Sequence, residues 1–185
     1  MLIKRRFALT LTLTAVMMLS ACGFQLRGSG PQANLPFKTI HVGLPDTSSL
    51  GKELRRYING TGMSVVVDDA KKAEASIDVL SEARDRVVLS LNSQGRVREY
   101  TLNYRLSFRV IDDKGAVLLA PTDLIVSRVL TYNEAQALAK EAEEAALYRD
   151  MQNDLVQQML RRLAAIKPGL DQPGLDKPAV AQPAK

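Results

Sequence analysis

An eleven-residue stretch of strict alternation, from Tyr100 to Val110, limits the possible folds of this chain more than any other feature. Apolar or aromatic residues occupy its even positions, and polar residues occupy its odd positions. A period of two over this length is typical of a β-strand that packs one face on a core and turns the other toward solvent or a partner. The sequence therefore predicts an antiparallel sheet with one covered face and one open face.

The segment before this strand predicts its first antiparallel neighbour. Alternation runs over residues 75–80, is interrupted at residues 81–86, and resumes at Val87. Val87, Leu89 and Leu91 continue the apolar pattern after this interruption. Asn and Gly within residues 92–95 predict the hairpin turn between the two strands.

The segment after the alternating strand predicts a second antiparallel neighbour over residues 118–130. Pro121 interrupts it, because proline lacks the N–H that a sheet ladder needs. Leu124 and Val126 are predicted on one face, and Ile125 on the other with Ser127 and Val129.

A compact strand–helix–strand unit is predicted near the start of the domain. Residues 39–44 and 63–67 are β-rich, and the segment between them has helical spacing of apolar residues. Ser48 or Ser49 can cap this helix, which is expected to end near Asn59. Two parallel strands joined by a right-handed crossover are the usual outcome of such a unit.

A long amphipathic helix is predicted from Asn133 to about Ile166. Asn133 is expected to cap it, and Gln136 three residues later is expected to complete a capping box. Its apolar stripe consists of Tyr148, Met151, Leu155, Val156, Met159, Leu160, Leu163 and Ile166. The predicted fold class is α+β: a mixed four- to five-stranded sheet with a short helix and a long C-terminal helix packed on one face.

A secretory signal is predicted over residues 1–21. Lys4, Arg5 and Arg6 precede an apolar run that is too short to span a bilayer. Cys22, the only cysteine, directly follows Leu-Ser-Ala, which resembles a lipobox. That resemblance implies a covalent lipid on Cys22, with no other cofactor expected, and Gly23 after it implies sorting to the outer membrane. The alternative is a soluble secreted protein with a stray cysteine.

The chain is predicted to have four parts: the signal, a lipid-anchored tether over residues 22–37, a single α+β domain over residues 38–167, and a tail over residues 168–185. The tail has a proline every five residues, a spacing that favours disorder. Loss of the signal leaves 22 basic against 20 acidic residues. This balance gives no support to a nucleic-acid partner.

The residue types needed for catalysis are scarce. His41 is the only histidine, and no serine has a companion base in the pattern. Asp68-Asp69 and Asp112-Asp113 fall in predicted turns, where acidic residues favour turn geometry. We expect that the protein is not an enzyme and holds no metal, with a lipoprotein hydrolase as the alternative from another class.

Basic residues concentrate on or beside the predicted hairpin. Arginine suits bidentate recognition of phosphate or carboxylate, and a solvated sheet face that resists edge-to-edge pairing is the other interpretation. The set comprises Arg84, Arg86, Arg96, Arg98, Arg105, Arg109, Arg128 and Lys140.

Three segments resemble the LptE family of lipopolysaccharide-assembly lipoproteins. Residues 22–28 read Cys-Gly-Phe-Gln-Leu-Arg-Gly, similar to the opening of the mature family members. Residues 95–100, ending Glu-Tyr, resemble the family's hairpin tip and the strand after it. Residues 133–140 resemble the start of its last helix, and the order of elements also matches.

The resemblance implies a function. Family members sit inside the β-barrel LptD in the outer membrane, assist its assembly, plug its pore and bind lipopolysaccharide. Lys140 matches a position implicated in that binding, whereas the other implicated position corresponds here to Ser93, with Arg96 and Arg98 close by. We hypothesise that Arg96, Arg98, Arg105 and Lys140 contact lipopolysaccharide. The alternative is an accessory lipoprotein of another outer-membrane assembly machine, such as the barrel-insertion complex.

Overall fold

The alternating stretch lies inside a five-stranded mixed sheet. This computed structural model describes residues 35–167, so the predicted signal peptide, Cys22 and the proline-spaced tail lie outside the described residues. The strands are β1 (Thr39–Val42), β2 (Val65–Val66), β3 (Ala75–Leu91), β4 (Val97–Ile111) and β5 (Val117–Thr131). Their order is β2-β1-β3-β4-β5, with β1 parallel to both of its neighbours and the other pairs antiparallel. The predicted fold class is confirmed.

Two helices cover one face of this sheet, α1 (Ser49–Gly60) and α2 (Ala137–Ala164). Single 3-10 turns, Ala70–Lys72 and Glu134–Gln136, lie before β3 and before α2. Helix α1 begins as predicted, because the Ser48 hydroxyl accepts a hydrogen bond from the Gly51 N–H at 3.1 Å. Such a cap contributes about 1 kcal/mol to helix stability.

The C-terminal helix begins later than predicted. Asn133 caps the short 3-10 turn, accepting a hydrogen bond from the Ala135 N–H. Gln136 is the N-cap position of α2 and makes no capping hydrogen bond with its side chain, so the predicted capping box is wrong. The helix has 28 residues, fewer than the sequence indicated, because the first turn after Asn133 adopts the tighter 3-10 geometry.

Strand β3 is continuous through residues 81–86, so the predicted interruption there is wrong. Its register with β4 shifts between Val79 and Ser81, which pair with Phe108 and Ser107. The shift marks a β-bulge at which one extra residue enters β3. The polar run that suggested an interruption is therefore part of the strand, in which the alternation of side chains between the two faces has shifted by one residue.

The bulge exchanges the two faces of β3, since side chains alternate with a period of two. Beyond it Arg84 pairs with Tyr104 on the helix-covered face, and Val87 pairs with Thr101 on the open face. Val87 is 52% exposed, and Leu89 and Leu91 are exposed as well. The apolar pattern at these three positions therefore belongs to exposed side chains, and Leu91 pairs with Val97 on the open face after further register shifts between Val88 and Leu91.

The alternation in β4 predicted its covered face correctly. From Leu102 onward its even-numbered positions are buried between the sheet and the helices, and Tyr100 is partly buried; the buried ones are Leu102, Tyr104, Leu106, Phe108 and Val110. In β5, Leu124 and Val126 are buried while Ile125 and Val129 are exposed, so these residues lie on opposite faces as predicted. The register of β5 with β4 shifts twice, between Leu119 and Thr122, the segment that contains Pro121, and between Val117 and Leu119.

The sheet and helices form two regions that differ in burial. The base consists of β1, β2, α1, the second half of α2 from Met151, and the sheet that they cover. The core of the base also includes Leu35 and Phe37, at the end of the predicted tether. The arm is defined here as the outer hairpin (82–102), the end of β5 (127–131) and the first half of α2 (137–150).

Few side chains of the arm are removed from water. Only Leu102 and Leu130 are buried there, and no residue of α2 before Met151 is buried. Six large apolar side chains of the arm are exposed: Val87, Val88, Leu89, Leu91, Val129 and Leu138. No helix within residues 35–167 combines the length and apolar composition needed to span a bilayer.

Candidate functional site

The tip of the arm carries two of the four predicted binding residues. The turn is fixed by Asn92, whose side-chain oxygen accepts hydrogen bonds from the N–H groups of Gln94 and Arg96, and by Gly95 with φ of +79°. Arg96 reaches Glu134 with an Nη1–Oε2 distance of 3.4 Å. Arg98 is exposed and makes no ion pair within residues 35–167.

Lys140 lies on the stripe of α2 that faces the sheet. Its helical neighbours on that stripe, Ala137, Glu144 and Leu147, are also partly covered. Only 17% of the Lys140 side chain is exposed, and its ammonium group lies 2.8 Å from Glu143. Arg96 and Lys140 therefore both contact residues at or near the start of α2, although neither contacts the other.

Arg105 lies on the opposite face of the sheet from Lys140. It pairs across the strands with Ala83 and Ile125 and forms an ion pair with Asp85 at 2.5 Å. The four predicted binding residues therefore do not form one cluster. Cys22, the predicted lipid anchor, lies outside the described residues.

Arg86 extends the basic surface along the helix-covered side of the arm. Its guanidinium lies over the Tyr100 ring, 4.6 Å from the centroid, and donates to Glu144 at 2.9 Å. Partial burial lowers the pKa of Arg86, and the hydrogen bond and charge of Glu144 raise it by more, so the net shift is upward. Arg86 thus stays charged at any physiological pH.

Arg84 occupies the junction between base and arm. Its guanidinium lies between two rings, 4.3 Å from the Tyr104 centroid and 5.7 Å from that of Tyr148, and donates to the Tyr104 hydroxyl at 2.8 Å. The Tyr104 hydroxyl in turn donates to Glu82 at 2.5 Å. Burial, together with this hydrogen bond to Glu82, raises the pKa of Tyr104 to about 12.

Sequence periodicity did not assign Arg84 and Arg86 to the helix side. A count of two from Ile77 puts odd positions of β3 on the covered face, whereas the bulge moves even positions there. The one available sequence signal was the spacing of two, which puts Arg84 and Arg86 on the same face of the strand. In the structure they lie opposite Tyr104 and Leu102, on the covered face of β4.

The outer part of the hairpin combines positive charge on its helix side and tip with exposed apolar side chains, of which Val88 lies on the helix side and Leu91 on the open face. Arg96, Arg98 and Arg86 lie close in sequence to the exposed Val88, Leu89 and Leu91. Exposed ion pairs contribute about 0–1 kcal/mol, so an incoming anion can displace Glu134 or Glu144 at little cost. This combination suits an amphiphile that has anionic groups next to acyl chains.

The open face of the sheet has a different character. Polar side chains are hydrogen-bonded across its centre, where Asn103 donates to Asp85 at 2.9 Å and Ser127 donates to Asn103 at 2.8 Å. Exposed Val129 and Ile125 lie on either side of this row. None of the described residues covers this face, which is therefore available to a partner of mixed polarity.

The described residues offer little for metal or acid–base chemistry. Within residues 35–167, no three His, Cys, Asp or Glu side chains are grouped so that they could hold a metal ion. The His41 ring nitrogen Nδ1 lies 2.9 Å from the Ser76 hydroxyl, on the two neighbouring strands β1 and β3. His41 therefore has a structural contact, in agreement with its predicted place in a strand.

Comparison with known proteins gives consistent matches over most of the chain. The model of the family described as "LptE: Lipopolysaccharide-assembly" matches residues 37–163. A protein of Pectobacterium atrosepticum named LPS-assembly lipoprotein LptE is 29% identical over 163 residues, which span 88% of this chain and 86% of the relative. A protein of the same name from Yersinia enterocolitica is 24% identical, over 88% of this chain and 78% of the relative.

Solved structures are similar as well. The solution structure of a lipoprotein B from Nitrosomonas europaea has a TM-score of 0.66 and 40% identity, covering 77% of this chain and 91% of that one. The crystal structure of rare lipoprotein B from Shewanella oneidensis has a TM-score of 0.60 and 23% identity, covering 68% and 93% respectively. The second likeness concerns the fold alone.

Proposed function

Since the chain belongs to the LptE family of lipopolysaccharide-assembly lipoproteins, we propose that it plugs the outer-membrane β-barrel LptD, assists its assembly, and binds lipopolysaccharide through the arm. The role is non-enzymatic: it consists of binding and positioning. The observation that carries the lipopolysaccharide part is the overlap of exposed apolar side chains and arginines on the arm.

The chemistry of lipopolysaccharide fits this overlap. Its lipid A carries phosphates beside acyl chains, so a protein that binds it needs cations next to apolar surface. Arg96 and Arg98 at the tip offer guanidinium groups, which pair bidentately with phosphate. Leu89 and Leu91 offer exposed apolar surface nearby, worth about 25 cal/mol for each Å² that an acyl chain covers.

The predicted contribution of each basic residue differs with its surroundings. Arg98 needs to break no ion pair with residues 35–167, whereas Arg96 must release Glu134 and Lys140 must release Glu143. Arg105 faces the other side of the sheet and is held by Asp85, so a lipid bound at the tip does not reach it. We therefore assign the lipid contacts to Arg96, Arg98 and Lys140, and place Arg105 on the surface that meets the barrel.

The open face of the sheet is proposed to meet the wall of LptD. The interior of a large outer-membrane barrel is polar. The hydrogen-bonded row of Asp85, Asn103 and Ser127 can exchange hydrogen bonds with such a wall, and Ile125 and Val129 add apolar contacts. A lipid on Cys22 would hold the protein at the outer membrane, where the barrel is assembled.

Partner identity can be tested by affinity purification from native outer membranes. A tag on the full-length chain should bring down LptD, and substitution of Ile125→Glu should reduce its recovery. Met63→Glu is the control, because Met63 is also an exposed apolar residue but lies outside the sheet. Recovery of the barrel-insertion complex in place of LptD would contradict the proposal.

Lipopolysaccharide binding can be tested with two charge-matched double variants of the full-length chain in detergent. The tip variant is Arg96→Glu with Lys140→Glu, and the control variant is Lys71→Glu with Lys114→Glu, both exposed and distant in sequence from the arm. The tip variant should bind intact lipopolysaccharide about tenfold more weakly, as expected for loss of one charge-assisted hydrogen bond. Equal affinities for the tip and control variants would contradict the proposal, and Arg98→Glu alone serves if the tip variant unfolds.

A further inference from the structure

A second concave surface lies between the helices, away from the tip. It is a cleft of about 950 Å³ bounded by α1, α2 and the helix-covered side of β3. Five cationic side chains line it: Lys52 and Arg56 from α1, Arg84 and Arg86 from β3, and Arg149 from α2. None of the four residues predicted to contact lipopolysaccharide lines it, whereas Arg84 and Arg86 belong to the wider set of basic residues near the hairpin.

The carboxylates of the cleft only partly balance these cations. Glu53 holds Arg56 at 3.1 Å and Glu144 holds Arg86 at 2.9 Å, which leaves Glu141 as the third acidic residue of the lining. Lys52 and Arg149 make no ion pair within residues 35–167 and are both exposed. The mouth of the cleft is therefore positive.

The floor of the cleft is already ordered by hydrogen bonds. The Gln152 side-chain oxygen accepts from the Ser49 hydroxyl at 2.8 Å and from Arg84 at 3.2 Å, while its nitrogen donates to Glu53 at 2.6 Å. Gln152 is buried, and Arg84 is held between two tyrosine rings. A ligand that binds here pays little to order the floor, since these side chains are fixed beforehand.

We propose that this cleft binds a phosphate-bearing saccharide. Guanidinium groups recognise phosphate through paired hydrogen bonds, and Lys52 and Arg149 supply free charge at the mouth. Ser49, Asn153 and the ring of Tyr148 are suited to sugar hydroxyls and sugar faces. The volume falls within the range of about 300–1,000 Å³ that is usual for small-ligand sites.

An acidic peptide segment is the other ligand class that a positive cleft can attract. Peptide recognition relies on buried aromatic or aliphatic anchors that fill apolar pockets. Ala145 and the ring of Tyr148 are the apolar groups of this lining, and the remainder is charged or polar. The lining therefore favours the saccharide.

The inference rests on the proposed function for one point, the source of the saccharide, which we take to be the phosphorylated core of lipopolysaccharide. Arg149 follows Lys140 by nine residues, about 14 Å along the helix and half a turn out of phase. The cleft and the proposed lipid contact at Lys140 are thus separate contact points on one helix. A single molecule that reaches both gains affinity from the second contact at high effective concentration.

The cleft variant, Lys52→Glu with Arg149→Glu, tests the inference by calorimetric titration of the full-length chain in detergent. The probe is deacylated, phosphorylated core oligosaccharide. We expect at least about a tenfold loss of affinity for the cleft variant, as for one lost charge-assisted hydrogen bond, and less than about twofold for the control variant. Dephosphorylated oligosaccharide should bind the wild-type chain as weakly as the phosphorylated probe binds the cleft variant.

Several outcomes would overturn the inference. The cleft variant could bind the probe as the wild type does, or the control variant could lose as much affinity, which would make the effect one of net charge. Cleft-dependent binding of phosphatidylglycerol vesicles without binding of the oligosaccharide would assign the cleft to a lipid headgroup. Loss of the co-purified barrel with unchanged oligosaccharide binding would assign it to a peptide.

The design separates this inference from the proposed function. If the tip variant binds intact lipopolysaccharide more weakly while the cleft variant binds the oligosaccharide as the wild type does, the proposed function stands and the cleft assignment fails. If the cleft variant binds the oligosaccharide more weakly while the tip variant binds intact lipopolysaccharide as the wild type does, the role of the arm fails and the cleft assignment stands.

Discussion

The base and the arm belong to the same sheet and share helix α2, yet different forces hold them together. In the base, Phe108, Leu54 and Leu155 belong to one apolar core and are fully buried. In the arm, the first half of α2 is joined to the strands by partly exposed ion pairs such as Arg86–Glu144, whose two side chains are 45% and 22% exposed. Apolar burial is the stronger force, since a buried leucine contributes about 1.5–3 kcal/mol and an exposed ion pair about 0–1 kcal/mol.

This difference indicates a division of labour. A region held by exposed ion pairs keeps its charged and apolar groups accessible and exchanges partners at low cost. A region held by a core supplies the rigidity that orients it. Binding residues on the arm can thus be replaced with little loss of stability, whereas core residues of the base cannot.

The largest expected contrast comes from one substitution made twice on α2. Leu155→Ala in the base removes a fully buried side chain and should lower the free energy of unfolding by about 2–5 kcal/mol, because it leaves a cavity. Leu138→Ala in the arm removes a side chain that is 82% exposed and should change it by less than about 0.5 kcal/mol. Urea unfolding of both variants measures the contrast, and equal losses would show that the two regions do not differ as described.

The next largest effect is expected at alkaline pH, at the junction of the two regions. The pKa of Tyr104 rises from 10.0 in the unfolded chain to about 12 in the folded chain. Between these values the unfolded chain has released the proton that the folded chain retains. The contribution of Tyr104 to the free energy of unfolding is therefore fully present below pH 10 and is lost as the pH rises toward 12. The slope from this group is at most about 1.4 kcal/mol per pH unit.

Tyr104→Phe tests this assignment because it removes the titrating hydroxyl and keeps the ring. The free energy of unfolding of the variant should decline less steeply than that of the wild type between pH 10 and pH 12. Each protein is referred to its own stability at pH 8, which corrects for the lost hydrogen bonds to Glu82 and Arg84. Parallel declines in the two proteins would rule out Tyr104 as the source.

A smaller contrast is expected between two arginines on opposite faces of the hairpin. Arg84→Ala should cost about 1–3 kcal/mol, since it removes hydrogen bonds to Tyr104 and Gln152 and two ring contacts from the helix-covered side. Arg105→Ala should cost about 0–1 kcal/mol, because it breaks only a partly exposed ion pair with Asp85. Thermal unfolding of the two variants measures the difference, and a greater cost for Arg105→Ala would reverse the proposed roles of the two faces.

The sequence predicted the base better than the arm, for physical reasons. In β4, burial follows the period of two, and in the second half of α2 it follows the helical period, so both patterns identified the core. The α1 cap at Ser48 is local, and it too was predicted correctly. Where burial follows the local period of the strand or helix, and where a hydrogen bond is local, the sequence is sufficient to predict the structure.

The arm departed from its prediction at the bulge in β3. One residue inserted near Leu80 moves Arg84 to the covered face and Val87 to the open face. No residue type marks that insertion, because it depends on the pairing with β4. The grouping of binding residues failed for the same reason: Arg105 and Lys140 lie on opposite sides of the sheet, a relation that depends on tertiary packing.

The cleft was not predicted either. Lys52 and Arg149 are 97 residues apart in the chain and meet only because α1 and α2 pack side by side. Neither has a sequence context that distinguishes it from other surface cations. What the sequence did provide was the abundance of arginine near the hairpin, which is a property of composition and carries no geometry.

The smallest expected effect is on the exchange of backbone amides in α2, and it tests the comparison within one helix. At 1 M salt the screening length falls to about 3 Å, so exposed ion pairs lose most of their attraction. Amides in residues 137–147 should then exchange about twofold faster, as loss of about 0.5 kcal/mol implies, whereas amides in residues 152–163 should not change. Glu144→Gln removes the pair with Arg86 at almost constant shape, so its arm amides should exchange faster already at low salt and respond less to added salt. Unchanged exchange at 1 M salt in both halves would mean that apolar burial, and not the ion pairs, holds the arm half as well.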